Sequence, residues 1–143
     1  MKRYRFQLEA VLRARRVQEG VARAALVAAN SAARAAELAT KEALAHYQQV
    51  AQKPGEDFMS DRERATLAAK SFFQANESYR RAKAAAEAAV AQYLEARRHV
   101  AMLDRLDERQ RAEHALAVQH EEAVLADELA TNRNRRKRAA GRS

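Results

Sequence analysis

The side chains best suited to acid–base chemistry or metal binding are spread along this chain. Its four histidines are His46, His99, His114 and His120. No two of them are four residues apart, the spacing that places two imidazoles on one face of a helix, and no HExxH motif is present. Glu95 and His99 are four residues apart, which predicts a surface ion pair rather than a site. The sequence also lacks cysteine, a glycine-rich phosphate loop and a GxSxG motif, so we expect no enzymatic activity, no cofactor and no metal site.

The elements that would have to position any site are helices. The composition is dominated by Ala, Glu, Arg, Leu and Gln, which favour helix. The only proline stands beside a glycine, at Pro54-Gly55, and proline interrupts a helix because it lacks the backbone donor. We therefore predict a single domain, 1–143, with a helix over about 6–52, a turn over 53–59, a helix over about 60–135 and a basic tail over 136–143.

The start of the second helix has a local signal of its own. Ser60 and Glu63 have the spacing of a capping box, in which each side chain accepts a hydrogen bond from the other residue's amide. Residues 60–71 could also fold back as a separate short helix, which would lengthen the turn. Both arrangements agree with the sequence.

Apolar and small residues recur at three- and four-residue spacing along both predicted helices. The first stripe comprises Leu8, Leu12, Ala22, Leu26, Ala29, Ala33, Ala36, Leu44, Tyr47 and Val50. The second comprises Phe72, Ala75, Tyr79, Ala82, Ala86, Ala89, Tyr93, Ala96, Val100 and Leu103. The second is an uninterrupted heptad pattern. The predicted fold is all-α, an antiparallel two-helix coiled-coil hairpin with a longer C-terminal helix.

The position of the turn fixes which residues should face each other. A turn centred near residue 56 places Leu12 opposite Val100, and the second stripe becomes polar soon after that point. Residues 108–135 should then extend past the first helix by roughly 40 Å, at 1.5 Å per residue. One side of this extension is apolar, at Val118, Leu125 and Leu129.

Aromatic residues cluster near the predicted turn. Tyr47 and Phe72 fit the stripes, whereas Phe58 and Phe73 cannot both join the same one. At least one of the latter pair should be exposed, and an exposed aromatic patch can serve as a docking surface. Local packing of the turn is the alternative.

Positive charge is concentrated at the two ends of the chain. The net charge is +8; residues 1–20 contribute +4, residues 130–143 contribute +6 and the remainder is slightly acidic. Such ends could bind nucleic acid without sequence preference, but residues 130–143 contain no aromatic side chain for base stacking. Nucleic acid is therefore a disfavoured partner. No apolar run is long enough for a membrane span, and the basic N-terminus is not followed by the apolar stretch of a secretory signal.

Three segments resemble a known family in their order and spacing. Residues 4–13 have the sequence YRFQLEAVLR and are followed by Arg16 and Glu19, residues 103–109 have the sequence LDRLDER, and residues 127–130 have the sequence DELA. These segments are similar to those of the FliJ family, the stalk proteins of flagellar export. The resemblance spans nearly the whole chain, although the alanine- and arginine-rich middle matches no motif of the family.

The resemblance implies a function and two partners. FliJ-like proteins are cytoplasmic coiled coils, peripheral at the cytoplasmic face of the flagellar basal body, that serve protein transport in bacterial flagellum biogenesis and hence motility. Their terminal end inserts into the hexameric export ATPase and activates it, another part contacts the membrane export gate, and some bind export chaperones. The residues that would contact the ATPase ring are Arg5, Val118, Leu125, Leu129, Arg133, Arg135, Arg136 and Arg138. The residues that would contact the export gate are Leu44, Tyr47, Phe72 and Phe73.

Three other functions remain open at this point. The chain could be the equivalent stalk of a virulence type III secretion system, a nucleic-acid-binding coiled coil, or an amphipathic helix bundle at a membrane surface. Mixed charge on the polar faces is least compatible with the last of these.

Overall fold

The fold consists of two long helices that pack against each other. The computed structural model describes every residue except Met1, Lys2, Pro54, Glu56 and Ser143. Helix α1 is Glu9–Gln52 and helix α2 is Phe58–Ala140, and the described residues contain no strand. The expected all-helical architecture is thus confirmed, and residues 60–71 continue α2 without a break.

The chain divides into two compact units. The terminal unit is Met1–Arg13 with Val100–Ser143, and the central unit is Ala14–His99. Each therefore contains one part of α1 and one part of α2. The candidate ATPase contacts all lie in the terminal unit, and the candidate gate contacts all lie in the central unit.

The central unit is held together by a thin seam of small side chains. Its most buried residues are alanines, with Ala68 3%, Ala86 8% and Ala89 8% exposed. Alanines at seam positions let two helix backbones approach closely. The Thr40 hydroxyl lies 2.8 Å from the Ala36 carbonyl oxygen in its own helix and 3.0 Å from the Ala75 carbonyl oxygen in α2.

The heptad stripe of α2 lies on the seam as predicted. Each of its members from Phe72 to Leu103 is buried or half-buried. The first stripe is partly wrong, because Leu8, Leu44 and Tyr47 are 38%, 39% and 36% exposed. Thr40 and Ala43 occupy the seam beside Leu44 instead, since they continue the alternating three- and four-residue spacing from Ala36.

The terminal unit has a small apolar core. Phe6, Leu12 and Val100 are its buried members, and Tyr4, Leu103 and Leu106 pack against them. The predicted proximity of Leu12 and Val100 is confirmed. Residues 3–8 are not helical, so α1 begins at Glu9 rather than near residue 6.

The non-helical start changes how far the N-terminus reaches along α2. The Tyr4 ring lies beside His114, with 5.5 Å between the ring centroids, so the segment covers α2 at least to that residue. Every described residue from 119 to 142 is exposed. The uncovered run of α2 thus begins at residue 119 and not at residue 108 as expected.

The start of α2 is also set by residues other than those predicted. The Met59 amide donates to Asp57 Oδ1 at 3.2 Å, and the Asp61 amide donates to the Asp57 carbonyl oxygen. Asp57 is therefore the N-cap, and Ser60 donates its hydroxyl to the Asp57 carbonyl oxygen within the first turn. The expected cap at Ser60 is wrong by one helical turn. The predicted break at Pro54 lies outside the described residues.

The C-terminal end of α2 lies further along the chain than expected. The helix continues to Ala140, and the Gly141 amide donates to the Lys137 carbonyl oxygen at 3.0 Å. Most of the predicted basic tail, 136–143, is therefore helical. Lys137 and Arg138 lie in the last turn, where cations interact favourably with the helix dipole.

Candidate functional site: the C-terminal run of α2

The helical run from residue 119 to residue 140 is an uncovered surface of the terminal unit. All of its residues are exposed, and at 1.5 Å per residue it is roughly 33 Å long. Leu125 and Leu129 are 55% and 70% exposed. A helix gains most of its stability from packing an apolar face, so a run of this length with exposed leucines presents a surface suited to a partner.

The exposed leucines continue the packed face of α2. Asp107, Gln110, His114 and Val118 are half-buried at three- and four-residue spacing. Leu125 follows Val118 by two turns and Leu129 follows Leu125 by one, so they share that face. The face changes from covered to uncovered after Val118.

The C-terminal run also separates its charges along the helix. Residues 119–128 contain four acidic and no basic residues, whereas residues 129–140 contain five basic and no acidic residues. The acidic residues are Glu121, Glu122, Asp127 and Glu128, and the basic ones are Arg133, Arg135, Arg136, Lys137 and Arg138. None of the nine forms an ion pair within the part of the chain that the structure describes.

Arg5 is not brought together with the other candidate ATPase contacts. It is exposed and adjoins Tyr4, which packs against His114. Arg133 lies 19 residues beyond His114 on the same helix, a separation of roughly 29 Å along the axis. The remaining candidates from Val118 to Arg138 do lie along one helical run.

Sequence reasoning missed a polar cluster that attaches the N-terminal segment to α2. The Tyr4 hydroxyl donates to Asp107 Oδ1 at 2.6 Å, and the Tyr4 ring centroid is 5.5 Å from that of His114. Arg111 lies 5.4 Å from the same centroid, a cation–π distance, and donates to Asp107 Oδ2 at 3.4 Å. The signal for this cluster was Asp107 itself, a carboxylate at a seam position of the heptad pattern.

This cluster changes the acidity of the tyrosine. Partial burial of the phenol raises the pKa of Tyr4, and its hydrogen bond to Asp107 and the negative charge of that carboxylate raise it further. Arg111 lowers the pKa in opposition. The neutral phenol, which is the donor in the hydrogen bond, is thus the favoured form.

The candidate gate contacts are only partly brought together. Phe72 is half-buried on the seam, whereas Phe73 is 67% exposed; their ring centroids are 5.7 Å apart. Tyr47 and Leu44 are 36% and 39% exposed on α1. Phe58 is 76% exposed, which confirms that Phe58 and Phe73 do not both join the seam.

Phe73 is an exposed residue of α2 next to the seam residue Phe72. It lines a surface depression together with Thr66, Lys70 and Glu77. The Glu77 carboxylate is paired with Arg81 at 3.4 Å. This depression is open, with an exposed aromatic ring flanked by charges of both signs.

The predicted surface pair of Glu95 and His99 is present, with 3.8 Å between carboxylate oxygen and imidazole nitrogen. No group of three or more acidic or histidine side chains is placed to hold a metal ion among the described residues. Within the same residues, no helix combines the length and hydropathy needed to cross a membrane. Comparison with protein-family models, with curated proteins and with solved structures finds no match to this chain.

Proposed function

We propose that this protein is a non-enzymatic stalk of the flagellar type III export apparatus, an antiparallel coiled coil that activates the hexameric export ATPase and connects it to the membrane export gate. The proposal starts from the resemblance of residues 4–13, 103–109 and 127–130 to the FliJ family. It places the protein in the cytoplasm, at the basal body. The supporting structural observation is the uncovered helical run 119–140.

This run has the properties that insertion into a protein ring would require. A helix surrounded by a ring must present contacts on every side, and all residues from 119 to 140 are exposed. Leu125 and Leu129 supply an apolar bearing surface. Arg133, Arg135, Arg136 and Arg138 supply cations that can pair with acidic side chains of the ring.

The central unit would supply the contact with the export gate. Phe73 is the most exposed of the four candidate gate residues, and its depression is apolar at the ring and charged at the edges. A partner that buries the phenyl ring would gain hydrophobic free energy. Phe72 would act by holding Phe73 on the outer face, because its own side chain is part of the seam.

Two variants of the full chain test the ATPase contact. ATP hydrolysis by the export ATPase from the same genome is titrated with the parent protein and with a variant in which Arg133, Arg135, Arg136 and Arg138 are Gln. The matched control replaces four exposed helical arginines of the central unit by Gln. They are Arg34, Arg62, Arg80 and Arg98. Stimulation by the parent and the control, but not by the first variant, is expected.

A truncation complements this comparison. Chains ending at residue 118 retain Asp107, Arg111 and His114, the residues that Tyr4 contacts, and lose the uncovered run. They should remain helical by circular dichroism and fail to stimulate hydrolysis. Full stimulation by this truncated chain would refute insertion through the run.

A second candidate function is nucleic-acid binding, favoured by the five cations between residues 133 and 138. Binding would weaken steeply with rising salt because each phosphate contact releases a counterion. Stable binding of duplex DNA at about 0.15 M salt, together with absent ATPase stimulation, would favour it. The equivalent stalk of a virulence secretion system is distinguished by which ATPase the protein stimulates.

A further inference from the structure

The charge separation in the run 119–140 makes that surface self-complementary. Its first ten residues have a net charge of −4 and the following twelve a net charge of +5. No acidic residue of the run has a basic residue three or four positions away within the run, the spacing that would pair charges inside one helix. The charges are thus available for a partner with the opposite order of signs.

We infer that this run binds the same run of a second copy of the chain, with the two helices antiparallel. Only the antiparallel orientation brings each acidic stretch against the other copy's basic stretch; a parallel pair would align like charges. Two-fold symmetry makes the interface closed, so association stops at the dimer.

The leucines fix the register of this pair. Val118, Leu125 and Asn132 are seven residues apart, and Glu122, Leu129 and Arg136 form the complementary heptad position. In an antiparallel coiled coil these two classes face each other, so Leu125 meets Leu129 of the second copy and Val118 meets its Arg136. Four leucines then form one apolar cluster at the centre.

The flanking positions add charge pairs on both sides of that cluster. In this register Glu121 lies beside Arg135 of the second copy, and symmetry repeats the pair at the other end. Glu128 meets its own counterpart near the axis, which is the one unfavourable charge contact. With four leucines and two principal ion pairs, the interface is smaller than a standard stable one, so association should be weak and dependent on concentration.

Dimerisation would cover part of the surface assigned to the ATPase ring. Leu125, Leu129 and Arg135 belong to both interfaces, so a dimer could not insert. This exclusion rests on the proposed function, whereas the pairing itself does not. The dimer would keep free protein from engaging the ring until the pair dissociates.

A charge-exchange experiment tests the pairing with two full-length variants. Glu121→Arg and Arg135→Glu each replace both attractive pairs of the homodimer by repulsive ones. A mixture of the two variants restores opposite charges at both ends of the heterodimer. Sedimentation equilibrium at low salt measures the dissociation constant of the parent, of each variant and of the mixture, with Glu87→Arg, an exposed acidic residue of the central unit, as the control.

The parent and the control should dimerise with equal affinity, each single variant should dimerise roughly tenfold more weakly, and the mixture should regain the parent affinity. Glu128→Gln should strengthen dimerisation. A parent that stays monomeric, or variants that each dimerise as well as the parent, would overturn the inference. These outcomes leave the stalk proposal standing, since they do not depend on ATP hydrolysis.

Orientation is tested by chemical linkage, because the chain has no cysteine of its own. A short bis-maleimide should join Val118→Cys chains to Arg136→Cys chains, distinguished by mass. It should not join two Arg136→Cys chains, whose thiols would be roughly 27 Å apart in the antiparallel pair. Linkage between two Arg136→Cys chains without the mixed product would show a parallel pair and contradict the inference.

Discussion

Tyr4 donates a hydrogen bond of 2.6 Å to the Asp107 carboxylate, 103 residues later in the sequence. The non-helical segment before α1 thereby binds to α2, with Phe6 buried a short distance away. The segment has few backbone hydrogen bonds of its own, so its position depends on these side chains. The uncovered run of α2 begins at residue 119, five residues beyond His114, which packs against Tyr4.

Tyr4→Phe should loosen the N-terminal segment without unfolding either helix. The variant keeps the ring beside His114 and Arg111 and loses only the donor to Asp107. Backbone order parameters from 15N relaxation at residues 3–8 should fall, with the helical circular dichroism signal unchanged. Tyr79→Phe is the control, because Tyr79 is half-buried and its hydroxyl has no hydrogen-bond partner among the described residues. Equal order parameters in the parent and in Tyr4→Phe would contradict the assigned role.

The same contact predicts a dependence of stability on alkaline pH. Burial, the hydrogen bond to Asp107 and that carboxylate's charge raise the pKa of Tyr4 above its ordinary value. Folding therefore favours the protonated phenol, so the contribution to stability is complete below the unfolded pKa and is lost as pH rises through the folded pKa. The absorbance of phenolate, taken as the difference between the parent and Tyr4→Phe, gives the titration of Tyr4. Asp107→Asn should lower the pKa of Tyr4 relative to the parent. If Tyr4 of the parent titrates below the ordinary tyrosine range, its contact with Asp107 does not raise the pKa.

The seam of the central unit predicts a sharp contrast between neighbouring alanines. Ala89 is 8% exposed between the helices, whereas Ala88 is on the exposed side. Ala89→Leu should destabilise the protein by about 1–3 kcal/mol, because the larger side chain forces the backbones apart. Ala88→Leu should change the free energy of unfolding by no more than about 0.5 kcal/mol. Urea denaturation followed by circular dichroism measures both, and equal values would show that the seam is not closely packed at this position.

Much of this seam could be predicted because its signal is periodic. The spacing from Phe72 to Leu103 depends only on the geometry of a helix and on which residues avoid water. Leu44 was misplaced because hydrophobicity alone favours it over Thr40. The Thr40 hydroxyl lies within hydrogen-bond distance of the Ala36 and Ala75 carbonyl oxygens, so this polar group has acceptors on the seam. A threonine that pairs in this way can replace a leucine on a seam where the backbones are close.

The features that could not be predicted depend on non-local or competing local contacts. The bond between Tyr4 and Asp107 joins residues far apart in sequence, and no spacing rule connects them. Asp57 and Ser60 are both good N-cap residues, so a choice between them requires the path of the preceding turn. At the candidate site, the sequence located the exposed leucines and arginines but not the separation of Arg5 from them.

Gly20 and Gly55 should respond oppositely to alanine. A Cβ atom added at Gly20 meets no atom within 4 Å, so Gly20→Ala should stabilise α1 by about 0.5–1 kcal/mol through helix propensity. At Gly55 the added atom would lie 2.6 Å from Asp61 Oδ1. The Gly55 amide donates a hydrogen bond to that carboxylate. Gly55→Ala should therefore displace the Asp61 carboxylate, weaken this hydrogen bond and lower the stability of the protein. Thermal denaturation of the two variants beside the parent measures both signs, and a stabilising Gly55→Ala would show that this contact is dispensable.

Phe72 and Phe73 separate the stability of the central unit from the proposed gate contact. Phe72→Ala removes a half-buried seam residue and should cost about 2 kcal/mol of unfolding free energy, whereas Phe73→Ala removes a ring that is 67% exposed and should cost no more than about 0.5 kcal/mol.

If Phe73 docks on the export gate, its loss should weaken binding to the purified cytoplasmic part of the gate protein by about tenfold or more, as for a buried aromatic anchor. Phe58→Ala is the matched control, since that ring is 76% exposed and is not assigned to the contact. Isothermal titration calorimetry measures the affinities. Unchanged binding by Phe73→Ala together with weakened binding by Phe58→Ala would move the contact from the Phe73 depression to the beginning of α2.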